Sequence, residues 1–177
     1  EKMMFRSLGI AQRLAIAALL FLAPVGFVLA ALVGNQNTTI RFSEKELTGT
    51  FQLREVAAVH RDLALASLRG AKPAGGGIAA LESAERSFGE GMESAELTVA
   101  AAAALRTSAA SGTGLDEARA ALRALTARVG DKSNLILDPD LDSFYVMDIM
   151  LVKLPEALDR IVAMVSLARR TFADGTL

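Results

Sequence analysis

Residues 14–33, LAIAALLFLAPVGFVLAALV, are the stretch that decides the fold of this chain. No side chain in this stretch is charged or strongly polar. A helix of this length measures about 30 Å, which is the thickness of the hydrocarbon core of a bilayer. Because an unpaired backbone group is costly in lipid, the stretch is predicted to be a transmembrane helix, kinked at Pro24.

Three other interpretations of this stretch fit the sequence less well. A secretory signal peptide has a shorter apolar core, of about 7–15 residues, although Val28, Leu29 and Ala30 would form an acceptable cleavage site. A core helix of a small soluble domain is apolar on one side only, and a helix on a lipid surface needs a polar face. A membrane span is therefore the prediction, with the signal peptide as the alternative.

The charges that flank the span predict its orientation. The residues before it carry three positive charges and one negative charge, at Lys2, Arg6, Arg13 and Glu1. The run GNQNTT that follows it, at 34–39, carries no charge. Positive residues stay on the cytoplasmic side of a membrane. We therefore expect a protein of the bacterial inner membrane with a cytoplasmic tail at 1–13, a transmembrane helix at 14–33 and a periplasmic domain at 35–177.

The composition excludes several classes of function. The chain has no cysteine, so it has neither a disulfide framework nor a thiolate nucleophile. Its net charge of −1 is too balanced for a nucleic-acid-binding protein. It has one histidine, and no glycine-rich phosphate loop follows a predicted strand. We therefore expect no enzyme activity in this segment, no cofactor and no nucleic-acid partner.

The spacing of apolar residues after the span predicts that the same helix continues outward. Residues 40–69 contain no glycine or proline except Gly49. Two apolar stripes run along them with helical spacing. The first stripe is Ile40, Leu47, Phe51, Ala58, Leu65 and Leu68, and the second is Leu53, Val56, His60, Leu63 and Ser67. A helix that is apolar on two sides suits a bundle that also forms a homodimer.

Loop signals divide the rest of the chain into three further predicted helices. GAKPAGGG at 70–77 and SGTG at 111–114 are the clearest breaks. The predicted helices lie at about 78–110, 115–134 and 139–172, the last one kinked or split at Pro155. The predicted fold is therefore all-α: an N-terminal transmembrane helix that continues into an antiparallel four-helix bundle.

Several segments resemble one family of bacterial sensors. They are SNLILDPDLDSFYVMD at 133–148, Leu154-Pro155-Glu156, FSEKELTG at 42–49, His60-Arg61, and LGIAQRL at 8–14. Together they resemble the extracytoplasmic sensing region of methyl-accepting chemotaxis proteins and related transmembrane sensor kinases. The resemblance implies the signal-input region of a chemoreceptor, which senses a small molecule directly or through a periplasmic binding protein.

The resemblance leaves the output of the receptor open. The same sensing region serves chemoreceptors, histidine kinases and cyclic-dinucleotide enzymes. Such receptors continue into a second membrane helix, a HAMP linker and a cytoplasmic module, so we expect that a longer protein was cut at residue 177. A tether of another class, a membrane-anchored coiled coil without a small ligand, is the remaining alternative.

The only histidine of the sequence marks the candidate ligand site. His60 lies on an apolar stripe beside Arg61, where it would contact an anionic ligand in a pH-sensitive way. The alternative is a core histidine bonded to a carboxylate such as Asp148. Tyr145 and Asp148 share one helix face. The predicted ligand-binding cluster is therefore His60, Arg61, Tyr145 and Asp148.

Three aspartates at 138, 140 and 142 resemble the start of a calcium loop. An EF-hand needs glycine at its sixth position and glutamate at its twelfth, and here Ser143 and Ile149 occupy those positions. Asp138 before Pro139 is instead typical of a helix start, where the carboxylate caps free N–H groups. The sequence therefore predicts helix capping and no metal site.

Overall fold

The computed structural model describes residues 9–136 and 141–173, with the backbone alone at 141–143. All regular secondary structure in these residues is helical, which confirms the predicted all-α class. The α-helices are α1 (Ile10–Arg69), α2 (Gly76–Phe88), α3 (Ala95–Ser111), α4 (Leu115–Lys132), α5 (Leu141–Asp148) and α6 (Leu154–Ala173). A 3₁₀ turn at Gly89–Gly91 follows α2, and a π-helical turn at Ile149–Lys153 joins α5 to α6.

Helix α1 contains the apolar stretch at 14–33 and extends to Arg69, as predicted from the spacing after the span. Pro24 lies inside α1 without ending it. Among the described residues, α1 is the one helix whose length and composition would let it cross a membrane, with a mean hydropathy of 2.7 in its most apolar window. None of that window is buried against other parts of the chain.

The chain divides into two compact units, residues 1–43 and 44–177. The described part of the first unit is the N-terminal portion of α1, and its large apolar side chains are exposed. The second unit contains the remainder of α1 and all the other helices. The polar and charged clusters described below belong to the second unit.

The second unit is built around one apolar core to which α1, α2, α3 and α4 contribute. The core side chains of α1 include Leu53, Val56 and Leu63, which belong to the second of the two predicted stripes. The first stripe is largely exposed, at Leu47 and Phe51 among others. One side of α1 therefore packs into the core. The other side keeps exposed apolar surface, although the ring of Phe51 also stacks on that of Phe88 of α2, with the ring centroids 5.7 Å apart.

The prediction of a single helix at 78–110 is wrong. Helix α2 ends at Phe88, and the segment before α3 includes Glu93, whose φ of 48° does not belong to a right-handed helix. Gly89 and Gly91 weaken helix formation here, because glycine loses more backbone entropy than any other residue. A Cβ at Gly89 would also lie 2.1 Å from Glu85 Oε1, so this glycine makes room for the glutamate.

The predicted third and fourth helices are found with changes at their ends. The third is α4, which ends at Lys132, and Asn134 follows with a φ of 66°. The predicted start of the fourth helix, with Asp138 and Pro139, lies outside the described residues. The interruption expected at Pro155 is present as the π-helical turn just before it. Proline fits the first turn of the helix that follows, where its missing N–H is not needed.

Candidate functional site: a buried ionic cluster beside an open cleft

The candidate site is centred on His60 of α1 and Asp159 of α6. His60 Nε2 lies 3.1 Å from Asp159 Oδ1. His60 is buried, and the Asp159 side chain is only 12% exposed. An ionised carboxylate can only accept hydrogen bonds, so Nε2 carries the proton and donates it to Asp159. This contact ties the N-terminal helix of the unit to its C-terminal helix.

Two arginines of α4 complete this group, which we name the ionic cluster: His60, Arg119, Arg123 and Asp159. Arg119 Nε lies 3.2 Å from Asp159 Oδ1, and an Arg123 Nη contacts Asp159 Oδ2. Arg119 also donates to Ser67 Oγ of α1 at 3.0 Å. Three helices, α1, α4 and α6, therefore meet at one carboxylate.

The ionic cluster contains two guanidinium groups and one carboxylate. The Arg119 side chain is 5% exposed and that of Arg123 is 43% exposed, and Asp159 is the one carboxylate between them. Asp116 also pairs with Arg119, but its side chain is 85% exposed, so water screens much of its charge. Two guanidinium groups thus face a single well-buried carboxylate.

Burial and the two nearby arginines together account for the protonation state of His60. Burial is the largest cause, and together with the charges of Arg123 and Arg119 it lowers the pKa of His60 from 6.5 to about 4. His60 is therefore a neutral hydrogen-bond donor at physiological pH.

The local sequence explains how the cluster is placed. Arg119 and Arg123 are four residues apart, so they share one face of α4. Asp159 precedes the fully buried Val162 by three residues, which turns it toward the interior. His60 and Ser67 lie two turns apart on the buried stripe of α1.

An open cleft of about 560 Å³ lies beside the ionic cluster. Arg119, Arg123 and Asp159 form part of its wall. Its apolar wall consists of Ala127, Leu151, Val152 and Ala163. Its outer polar residues are Asp116, Glu156 and Arg160. The cleft therefore combines arginine side chains with a small apolar surface, which is the usual make-up of a site for a small organic ligand.

The four predicted ligand-binding residues have different contacts and different exposure in the structure. His60 belongs to the ionic cluster, but its carboxylate partner is Asp159 rather than Asp148. Arg61 is exposed and pairs with its neighbour Asp62 at 3.0 Å. Tyr145 is exposed, and Asp148 is half-buried. Of the four, His60 alone lies in the ionic cluster.

Sequence reasoning missed Arg119, Arg123 and Asp159. A signal for the arginines was present: they are spaced by four on a helix whose neighbouring positions are apolar, such as Leu122. A charge next to the apolar face of a helix needs a partner from another element. The sequence did not say which of the many aspartates and glutamates would supply it.

A second polar cluster lies among α1, α2 and α3. Glu85 Oε2 accepts hydrogen bonds from Gln52 Nε2 at 2.8 Å, Ser94 Oγ at 2.7 Å and Thr98 Oγ1 at 2.8 Å. All three donor residues are buried. No cation pairs with Glu85 in the described part of the chain, so these donors stabilise its charge. This cluster fixes the packing of three helices.

Within residues 9–136 and 141–173, no three His, Asp or Glu side chains are grouped so that they could hold a metal ion. The aspartates that resemble a calcium loop, at 138, 140 and 142, lie outside the described residues or side chains. Helix capping by Asp138 therefore stays a prediction.

Comparisons with protein-family models, with curated proteins and with solved structures gave no significant match to this chain. The functional argument therefore depends on the geometry of the site.

Proposed function

We propose that this chain is the signal-input region of a bacterial transmembrane chemoreceptor. In this proposal residues 14–33 cross the inner membrane, the N-terminus is cytoplasmic, and the second unit is an antiparallel helical bundle in the periplasm. The exposed apolar stripe of α1, which includes Leu47 and Phe51, would pair two copies as a homodimer.

One observation carries the proposal. Helix α1 contains both the candidate membrane span and two residues, His60 and Ser67, that bond to the ionic cluster. A change in that cluster therefore acts directly on the helix that would enter the membrane. A passive tether has no need for buried charges at a junction of three helices, since burying them costs free energy.

The mechanism follows from the contacts of Asp159. In one packing, Asp159 of α6 is held by Arg119 and Arg123 of α4. A ligand in the cleft that contacts Arg123 would weaken this bridge and favour a second packing, in which α6 is displaced relative to α4 and α1. The ligand can shift the equilibrium only by its difference in affinity for the two packings, typically about 1–3 kcal/mol. Helix displacements of this kind need only be small.

A hybrid receptor tests the proposal. Residues 1–177 would be joined to the second membrane helix and the cytoplasmic domain of an established chemoreceptor, in cells that lack other receptors. Arg123→Gln removes the bridge to Asp159 and should shift the basal kinase output of the hybrid. The matched control is Arg106→Gln, an exposed arginine on α3 that pairs with Glu82 away from the cleft. If both variants leave the basal output at its original level, the proposed signalling role is wrong.

The location of the second unit has its own test, which the absence of native cysteine makes simple. A cysteine at the exposed position Ala103 should react with a membrane-impermeant maleimide in intact spheroplasts. A cysteine at Ser7, in the predicted cytoplasmic tail, should react only after permeabilisation. The opposite pattern would reverse the proposed orientation.

A further inference from the structure

We propose that the cleft beside the ionic cluster binds a small organic carboxylate, with Arg123 as its main contact. This proposal rests on the proposed function, because it names the ligand class of the same site. It is argued from charge, from the free donors of the site and from the chemistry of the cleft wall.

Charge is the first reason, because it decides which arginines a ligand can reach. Three carboxylates and three arginines line the cleft. Arg119 is buried and is paired with both Asp116 and Asp159, so its charge is already compensated. Arg123 and Arg160 keep exposed surface, and they are the groups that an anion in the cleft can contact.

The donors of Arg123 are the second reason. Its guanidinium group has five N–H donors, and one of its nitrogens contacts Asp159 Oδ2. The side chain is also about half exposed and lines the cleft. A planar guanidinium group matches a carboxylate in a two-point contact, which gives orientation as well as affinity. Arg123 can therefore hold a second carboxylate next to that of Asp159.

Arg160 offers a further contact at the outer end of the cleft. Its partner is Glu156, at 2.5 Å, and the Arg160 side chain is 74% exposed. An exposed ion pair of this type contributes little free energy, so a ligand can replace it at small cost. Arg160 is thus available to an anion without disturbance of the interior.

The apolar wall is the third reason, and it distinguishes an organic acid from an inorganic ion. Ala127, Leu151, Val152 and Ala163 offer hydrocarbon surface opposite the arginines. Phosphate has no apolar part to cover this surface, whereas a carboxylate with a short alkyl or aryl group buries it and gains free energy. The ligand class is therefore a small amphiphilic carboxylate.

The experiment is a calorimetric titration of the full chain in lipid nanodiscs. The probes are butyrate and benzoate, with the uncharged butyramide and benzamide and with inorganic phosphate as comparisons. We expect the two carboxylates to bind and the two amides and phosphate to bind at least about tenfold more weakly, since a hydrogen bond to a charged group is stronger than one to a neutral group.

Variants assign the binding to the cleft. Arg123→Gln should lower the affinity for benzoate at least about tenfold, whereas Arg106→Gln should leave it unchanged. If Arg123→Gln loses its helical circular dichroism, Arg123→Lys decides: it keeps the charge without the planar fork and should still weaken binding severalfold. Equal binding of benzoate and benzamide, equal binding of phosphate and benzoate, or unchanged affinity in the folded variants would each overturn the carboxylate site.

The hybrid receptor separates this proposal from the proposed function. If benzoate binds the chain but leaves the kinase output of the hybrid unchanged, the carboxylate site stands and the signalling role fails. If the output responds to an uncharged compound while butyrate and benzoate do not bind, the receptor role stands and the carboxylate inference is wrong.

Discussion

The substitution Asp159→Asn gives the most direct test of the ionic cluster. It keeps the size of the side chain and removes its charge. In the wild-type chain, this one carboxylate is bonded to His60 and is paired with Arg119 and Arg123. After the change, two guanidinium groups stay close together with no buried anion between them. We therefore expect the folded state to lose stability rather than function alone.

The magnitude follows from the exposure of each partner. Removing one member of a buried ion pair costs about 3–5 kcal/mol, because the other charge is left uncompensated. Arg119, at 5% exposure, bears this cost in full, although Ser67 and Asp116 still contact it. Arg123 is 43% exposed and regains hydration, so its share is small. We expect a loss of about 3 kcal/mol, a large part of the roughly 5–15 kcal/mol that stabilises a typical domain.

The measurement is the free energy of unfolding in urea, followed by far-ultraviolet circular dichroism in detergent micelles. The control is Glu82→Gln, which breaks the exposed pair between Glu82 and Arg106. Because an exposed pair contributes at most about 1 kcal/mol, this variant should be close to wild type. If Asp159→Asn is no less stable than Glu82→Gln, the ionic cluster is not buried as described and the reasoning from it fails.

Three further predictions concern other buried groups. The free energy of unfolding should fall by about 3 kcal/mol as the pH decreases from about 7 to about 4. The reason is that the pKa of His60 is lowered from 6.5 to about 4 in the folded chain, so the unfolded chain binds the proton first. His60→Gln should flatten this part of the measured pH profile. Gly49→Ala should lower the free energy of unfolding, measured in urea, by about 1–3 kcal/mol, since its Cβ would lie 2.1 Å from Ser133 Cβ. Gly34→Ala, with open space around it, should not lower it. Glu85→Ala should lower the thermal midpoint through a loss of about 2–4 kcal/mol, because three buried donors lose their acceptor.

The long helices of this fold could be predicted from the sequence because their signals are local. Residues 40–69 lack proline, and the SGTG run at 111–114 contains Gly112, which ends α3 with a φ of 76°. The break at Gly89 was harder to foresee. The carboxylate of Glu85, one helical turn earlier, occupies the space where a Cβ would be. Donors from other segments, among them Gln52 and Thr98, hold that carboxylate in place. Helix propensity alone weakens that position without deciding whether the helix ends there.

The candidate site could be predicted only in part, for a related reason. The burial of His60 follows from its place on an apolar stripe. Its partner does not, since Asp148 and Asp159 both lie in the last predicted helix and both have apolar neighbours. The π-helical turn at Ile149–Lys153 lies between them and changes which side chains of the later segment face inward. A regular helix drawn through this region therefore cannot identify the correct aspartate.

The same turn bears on how a signal would pass through this chain. Asp159 lies in the second turn of α6, close after the π-helical turn, and Leu151 of that turn lines the cleft together with Arg123. A π-helical turn interrupts the regular hydrogen-bond pattern of an α-helix, and such turns occur frequently at functional sites. If a ligand displaces Asp159 from Arg123, this turn is the segment of the C-terminal helices that can absorb the change. Because His60 bonds to the same carboxylate, α1 would respond to the displacement without any further relay.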